Sequence, residues 1–326
     1  MTAADATPLP HGSFSRSVER VSFDGRAAIR KTVLRGGDPA AVSFAEREAA
    51  LLSSTLLDGY RAAGLPPPGL LGVDMQADVV TMYLADAGSQ HVSTVAEAVE
   101  VARRAGRAQG GYLAELPDEP WLCGDFLADY AVTTPEIAGI EEVLADDAAW
   151  ASAGPLRSMR AELTALWGDR HQLLELLTGV PKSLLHNDFW PANLMCGADG
   201  FVTLDWAFCG VGPIGADAAN LVVDSIFDGY LPVAALPELD ARVWPAYLAG
   251  LRESAPAIDP PVARLGFVAA GAVKYGWLGL RTLQRMRDGS LRTYGDRQDA
   301  TAALVARVAG LRVVLNWAAE AREGVG

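Results

Sequence analysis

Lysine is nearly missing from this chain. Of its 27 basic residues only Lys31, Lys182 and Lys274 are lysines, and the other 24 are arginines. Positive charge is scarce as a whole: 40 acidic residues leave a net charge of −13. Such a balance repels nucleic acid and anionic membrane, so neither is expected as a partner, and it mildly favours cationic small molecules. Cysteine is scarce too. Cys123, Cys196 and Cys209 are odd in number and lack C-x-x-C spacing, which suggests neither a disulfide framework nor a zinc site and suits free thiols in a reducing compartment. Met1 to Pro10 carries an Asp, no basic cluster and no apolar core of signal length, so a cytoplasmic location is expected. The longest apolar stretch, Leu265 to Leu283, is interrupted by Lys274, Arg281 and several glycines and reads as a buried helix rather than a membrane span. Internal repeats and low-complexity tracts are absent. What remains is an ordinary globular composition, 50% apolar and 21% charged, in 326 residues, long enough for two lobes and a sizeable core.

The most informative stretch is His186-Asn187-Asp188-Phe189-Trp190-Pro191-Ala192-Asn193, followed twelve residues on by Asp205. The spacing H-x-D-x4-N and then a lone Asp matches the catalytic loop and metal site of kinase-type phosphoryl transfer. There an Asp accepts the proton of the attacking hydroxyl, here Asp188. An Asn five residues on and an Asp after the next hairpin hold Mg²⁺, here Asn193 and Asp205. The transferred phosphoryl carries charge that cations and fixed dipoles must neutralise, so the protein supplies position and field rather than a covalent bond. The flanks agree: Leu194 to Cys196 and Phe201 to Leu204 read as two strands joined by a Gly/Asp turn, which would carry Asp205 back beside Asn193.

These residues resemble the aminoglycoside phosphotransferase and choline kinase family, the small-molecule branch of the protein-kinase-like fold. Leu184-Leu185-His186-Asn187-Asp188 stands where that family shows L-x-H-G-D. Thr203-Leu204-Asp205-Trp206 stands where it shows an apolar pair, Asp and an aromatic or acidic residue. Gly212-Pro213-Ile214-Gly215-Ala216-Asp217 resembles its G-D-P-x-x-D with one residue more. Asn187 replaces the usual Gly, and no Gly follows Asp205 by two positions, which argues against a protein kinase, as does the lack of A-P-E. The resemblance implies an α+β, two-lobed protein-kinase-like fold: a small antiparallel-sheet N-lobe with one main helix, residues 1–85, and a larger mostly helical C-lobe, residues 86–326, with a hinge near 84–90. It implies ATP and Mg²⁺ as cofactors and a small-molecule alcohol as acceptor.

In the first lobe, Asp24-Gly25 marks a hairpin turn into Ala27 to Leu34. The Gly12 loop with Ser13 and Ser15 would, under the resemblance, cover the nucleotide phosphates, although one Gly and some serines also make a plain turn. Lys31, a rare lysine, suits a point contact to phosphate, and its neighbour Arg30 faces the other way by strand alternation; one of the two should enter the cleft. Ala41 to Leu56 has an amphipathic helical pattern and carries Glu48, the expected ion-pair partner of Lys31, with Glu46 on another face. Met82, Tyr83 and Leu84 lie on the strand that would run into an adenine-binding hinge.

In the second lobe, Thr94 to Glu115, Thr134 to Ala149, Leu156 to Leu177, Pro260 to Leu283 and Gln298 to Ala321 carry helix-period apolar positions. Asp217 opens a helix, Ala216 to Phe227, where a carboxylate caps backbone N–H groups, and the resemblance implies that it braces the catalytic loop. His186 reads as a loop anchor, since Asp188 already fills the base position. Asp224 and Asp228 share a helix face that would greet a cationic acceptor or merely water. The expected activity is phosphorylation of a hydroxyl on an antibiotic such as an aminoglycoside, or on a metabolite such as choline, homoserine or a sugar, by a monomer or homodimer. The rival from another class is a catalytically silent nucleotide-binding protein, whose usual sign, loss of the base or a metal ligand, is absent here.

Overall fold

The computed structural model describes residues 6–9, 15–129, 139–197 and 200–324. Its first layer is an antiparallel sheet of β1 (Thr7–Pro8), β2 (Ser15–Phe23), β3 (Arg26–Leu34), β4 (Leu70–Met75) and β5 (Val79–Ala85), ordered β1-β2-β3-β5-β4. Asp24 and Gly25 form the β2–β3 turn with φ of 50° and 75°. Two consecutive positive φ values give the two-residue loop whose twist matches the strands it joins. On β3, Lys31 and Val33 are buried, whereas Arg30 lies on the opposite face.

Where one helix from Ala41 to Leu56 is expected, the chain forms the shorter α1 (Arg47–Leu52), and α2 (Asp58–Ala62) follows beyond that range. Arg47 explains the late start. Its fully buried guanidinium donates to the carbonyls of Pro39, Ala41 and Val42, at 3.2, 2.6 and 3.3 Å, and so takes acceptors that helical amides would use. At the other end Ser53 and Ser54 donate to Ala49 O and Leu51 O, so hydroxyls compete with the backbone where the helix stops.

The second layer is mostly helical: α3 (Val95–Gly111), α4 (Phe126–Ala128), α5 (Ile140–Ala145), α6 (Asp147–Ser152), α7 (Arg160–Leu177), α8 (Ala216–Phe227), α9 (Leu236–Ser254), α10 (Pro260–Arg287) and α11 (Ala300–Glu323). Four short strands sit between the layers. β6 (Lys182–Leu185) pairs with β9 (Gly210–Pro213), and β7 (Leu194–Gly197) pairs with β8 (Gly200–Thr203) as the expected hairpin. Of the helix expected from Thr134 to Ala149, residues 134–138 lie outside the described residues. The rest is α5 and α6, separated at Asp146, whose carboxylate caps Ala149 N at 2.9 Å. α11 is long and apolar enough to cross a membrane by composition, but half of that stretch is buried inside the protein.

α3 begins with a capping box, Thr94 accepting from Glu97 N at 3.2 Å and Glu97 from Thr94 N at 3.0 Å. It then crosses α9 at backbone contact. A Cβ on Gly106 would lie 2.1 Å from Tyr247 O, and one on Gly250 would lie 1.8 Å from Arg103 O. Because backbone blocks both positions, Gly250→Ala should destabilise the protein by about 2–3 kcal/mol despite its better helix propensity, as a lower urea midpoint would register.

Candidate active site

β6 delivers the chain into a loop whose backbone is held from below. Asp217, 1% exposed, accepts from His186 N and Asn187 N, each at 2.9 Å, and from Gln109 Nε2 at 2.8 Å. It therefore caps the loop's amides. It does not cap its own helix, as sequence reasoning expects, because Gly215, with φ of 92°, occupies the N-cap of α8. Asn187 has φ of 66°, the left-handed region that Asn tolerates better than most residues, and its side chain donates to Phe208 O at 2.9 Å. His186 is fully buried, accepts from Asp188 N through Nδ1 at 3.2 Å, and donates from Nε2 to Leu204 O at 2.8 Å. Burial holds its pKa below the ordinary value, so it is a neutral anchor between the loop and the next strand.

Asp188 Oδ2 accepts from Trp190 Nε1 at 3.2 Å and from Asn193 Nδ2 at 2.9 Å. Burial raises the Asp188 carboxyl above its usual range, opposed by the positive charge of Lys274. Asn193 is the joint of the site, since its side chain holds Asp188 and its carbonyl accepts Leu204 N at 2.8 Å, one residue before Asp205. With its amide nitrogen engaged, Asn193 keeps an amide oxygen to offer a cation. Asp205, φ 55°, receives Lys31 Nζ at 2.7 Å. Lys31 also donates to Glu48 Oε2 at 2.5 Å, and Glu48 Oε1 accepts Trp206 N at 3.1 Å. Burial opposes the Lys31 charge, yet the two carboxylates outweigh it and raise its pKa. Lys31 thus remains cationic, and the pair ties β3, α1 and the segment after β8 together. Arg47 adds to that tie through Ala207 O at 2.6 Å.

Above Asp188 stands an aromatic wall. Trp190 packs edge-on to Tyr230 at 5.7 Å and to Tyr294 at 5.2 Å, and Arg297 lies 4.0 Å from the Tyr230 ring. Neither expected acceptor acid is a free carboxylate on a water-facing helix side. Asp228 accepts Tyr294 N at 2.8 Å and lies 3.7 Å from Arg307. Asp224 accepts from Tyr275 OH at 2.8 Å and from Asn220 Nδ2. Burial pushes the Asp224 carboxyl up to about 7, with Lys274 and Tyr275 opposing and Asp228 and Asp188 adding. From about pH 4 to about pH 7 the folded state therefore keeps a proton that the unfolded chain has released, and stability falls as pH rises through that window. Asp224→Asn should flatten this slope, which urea midpoints at pH 5 and pH 8 for both proteins would measure.

The other expected residues divide. Arg30 does not join Lys31; it pairs with Glu19 at 2.7 Å, since strand alternation turns it to the opposite face. Glu46 accepts Gly36 N at 2.8 Å, away from the cleft. Ser15 opens β2 opposite Val33, and Ser13 with the Gly12 loop lies outside the described residues. Met82, Tyr83 and Leu84 sit on β5 between β3 and β4, so the sheet engages their backbones, and any free hinge groups begin beyond Ala85. Sequence reasoning misses Asn220, Gln109, Arg47 and the place of Trp190 and Tyr294 beside Asp188. Lys274 carried one signal, its rarity.

Asn193 offers an amide oxygen, and Asp205, next to the Leu204 amide that Asn193 O accepts, offers a carboxylate. Hard oxygen donors of this kind fit Mg²⁺, which uses one or two protein ligands and completes its shell with water and phosphate. Among the described residues no cluster of three or more His, Cys, Asp or Glu forms an all-protein metal cage.

Solved structures share this fold at low identity. An amicoumacin kinase in complex with AMP-PNP and Ca²⁺ has a TM-score of 0.60 and 12% identity, over 96% of this chain and 90% of that one. The choline kinase of Cryptosporidium parvum Iowa II has a TM-score of 0.55 and 12% identity, over 96% and 90%. A thermostable mutant of aminoglycoside phosphotransferase APH(4)-Ia, in ternary complex with ADP and hygromycin B, has 0.52 and 14%, over 97% and 95%. No curated protein matches the chain significantly. The model of the phosphotransferase enzyme family matches residues 6–257, and the chain belongs to that family.

Proposed function

We propose that this phosphotransferase moves the terminal phosphoryl group of ATP to a hydroxyl of a small molecule, with Asp188 as the base. The supporting observation is the convergence on Asn193: one side chain holds Asp188, and its carbonyl fixes the strand end that presents Asp205. Because both donors to Asp188 take Oδ2, Oδ1 is left for the acceptor hydroxyl, which it orients and whose proton it receives. Asn193 and Asp205 would hold Mg²⁺, whose charge offsets that of the phosphates when it is bound. Lys31, kept in place by Glu48, offers its ammonium to the phosphates, and the backbone just past Ala85, where the sheet pairing ends, meets the adenine. Residues 1–85 then serve the nucleotide and 86–326 the chemistry and the acceptor.

Trp190 bonds Asp188, and Tyr230 and Tyr294 pack on Trp190, so an acceptor at Asp188 would meet this cluster of rings. Edge-packed rings favour an alcohol with an apolar or cationic face, such as an amine-bearing antibiotic or choline. The test is ATP consumption with Mg²⁺ against a panel of aminoglycosides, choline, homoserine and sugars. At least one should raise consumption well above the acceptor-free rate, and only with the metal. Affinity for Mg·ATP with no turnover on any alcohol would mark a silent nucleotide binder instead, and no affinity at all would remove the proposal.

A further inference from the structure

Lys274 enters the catalytic loop from α10, 87 residues away in sequence. It is 7% exposed, and its ammonium donates to Asn187 O at 2.9 Å and to Asn220 Oδ1. The same Asn220 Oδ1 accepts Phe189 N at 3.1 Å. The lysine therefore grips both residues that flank Asp188, one directly and one through Asn220. The grip is itself held: Asn220 Nδ2 donates to Tyr275 OH at 2.7 Å and to Asp224, and the ammonium lies 5.3 Å from the Phe126 ring centroid. Three carboxylates, buried Asp217 and half-buried Asp188 and Asp224, face this one cation as a favourable charge. A buried ammonium is a costly device for packing alone, and its bonds here go to the loop that carries the base.

We infer that Lys274 is a positioning residue for phosphoryl transfer, one that fixes the backbone on both sides of Asp188 and offsets the negative charge gathered beneath it. The inference rests on the reading of Asp188 as the base. Truncating the ammonium while keeping the volume, in Lys274→Met, leaves Asn187 O and one side of Asn220 unpaired. The loop then wanders by a fraction of its hydrogen-bond length, and misplacement on that scale costs on the order of 10–100-fold in kcat. Mg·ATP is bound by other groups, so its affinity should stay within about twofold.

Two measurements test this. In hydrogen exchange, the peptide covering residues 186–190 should exchange about tenfold faster in Lys274→Met than in the parent, with α3 and α9 unchanged. In steady-state kinetics with the most active alcohol of the panel, kcat should fall while the KM for Mg·ATP holds. Unaltered exchange at 186–190, or parental kcat in the folded variant, overturns the inference. If Lys274→Met does not fold, Asn220→Ala carries the test, with a smaller loss of the same pattern expected and parental kcat again overturning it. Asp188→Asn runs alongside. Full turnover in that variant removes the function proposed above, while the exchange measurement still decides whether Lys274 positions the loop.

Discussion

An Asp188→Asn protein is expected to fold, to bind Mg·ATP with parental affinity, and to lose kcat by on the order of 10²–10⁴. Each part follows from the contacts of the carboxylate. Trp190 Nε1 and Asn193 Nδ2 both donate to one oxygen, Oδ2. An amide placed with its oxygen there keeps both bonds and turns its NH₂ toward the acceptor. That NH₂ cannot take a proton, so the chemical step loses its base while the site keeps its shape. Stability should not fall, because burial disfavours the charge of Asp188 and the substitution removes that charge. Mg·ATP titration followed by intrinsic fluorescence, thermal melting and turnover with an active alcohol separate the three parts. Undiminished turnover would show that Asp188 is not the base.

The site is legible in the sequence where it is local. The spacing from His186 to Asn193 and the β7–β8 hairpin bring the amide and both carboxylates together because a short loop and a tight hairpin leave few alternatives. The one departure from the family pattern, Asn187 in place of Gly, also makes physical sense. That position sits at φ 66°, and Asn is the residue after Gly that adopts it most readily, while its amide adds a bond to Phe208 O. Lys31 is legible through rarity joined to strand alternation.

What stays hidden is what depends on contacts far along the chain. The helix around Glu48 is shortened by Arg47, whose carbonyl partners include Trp121 and Ala207, 74 and 160 residues away. α9 carries Pro245 in its interior, which reads locally as a break. The helix persists with its one glycine, Gly250, closed on α3 opposite Gly106 and Gly110, a packing no local pattern displays. Asp224 reads by helical spacing as an acid that faces a cationic acceptor or water, yet it is half-buried, with Tyr275 and Lys274 coming in from α10. Periodicity assigns a face to a residue but not the partner that covers it.

Asp217→Ala should have the largest effect on stability, about 3–5 kcal/mol, and should abolish most turnover as well. The carboxylate is buried and receives two backbone amides and the Gln109 side chain. Deleting it orphans the N–H groups of His186 and Asn187 where water does not reach, and each such group costs about 1–3 kcal/mol. Gln109 loses a partner too and loosens Tyr247, whose hydroxyl donates to it at 2.6 Å while accepting Gly215 N at 2.9 Å. Asp217→Asn separates hydrogen bonding from charge. One amide oxygen can satisfy one side, but its NH₂ then confronts the N–H of the other, so about half the loss should remain. The comparison is sharp because the charge itself is unfavourable: burial raises the Asp217 carboxyl above its usual range. If Asn were as stable as Asp in urea denaturation, the loop would be held by something other than these paired acceptors. If it were less stable than Ala, the opposed donors would outweigh the one bond retained. Between those limits, the position of the Asn variant measures how firmly two adjacent amides, and with them the backbone of Asp188, are held from beneath.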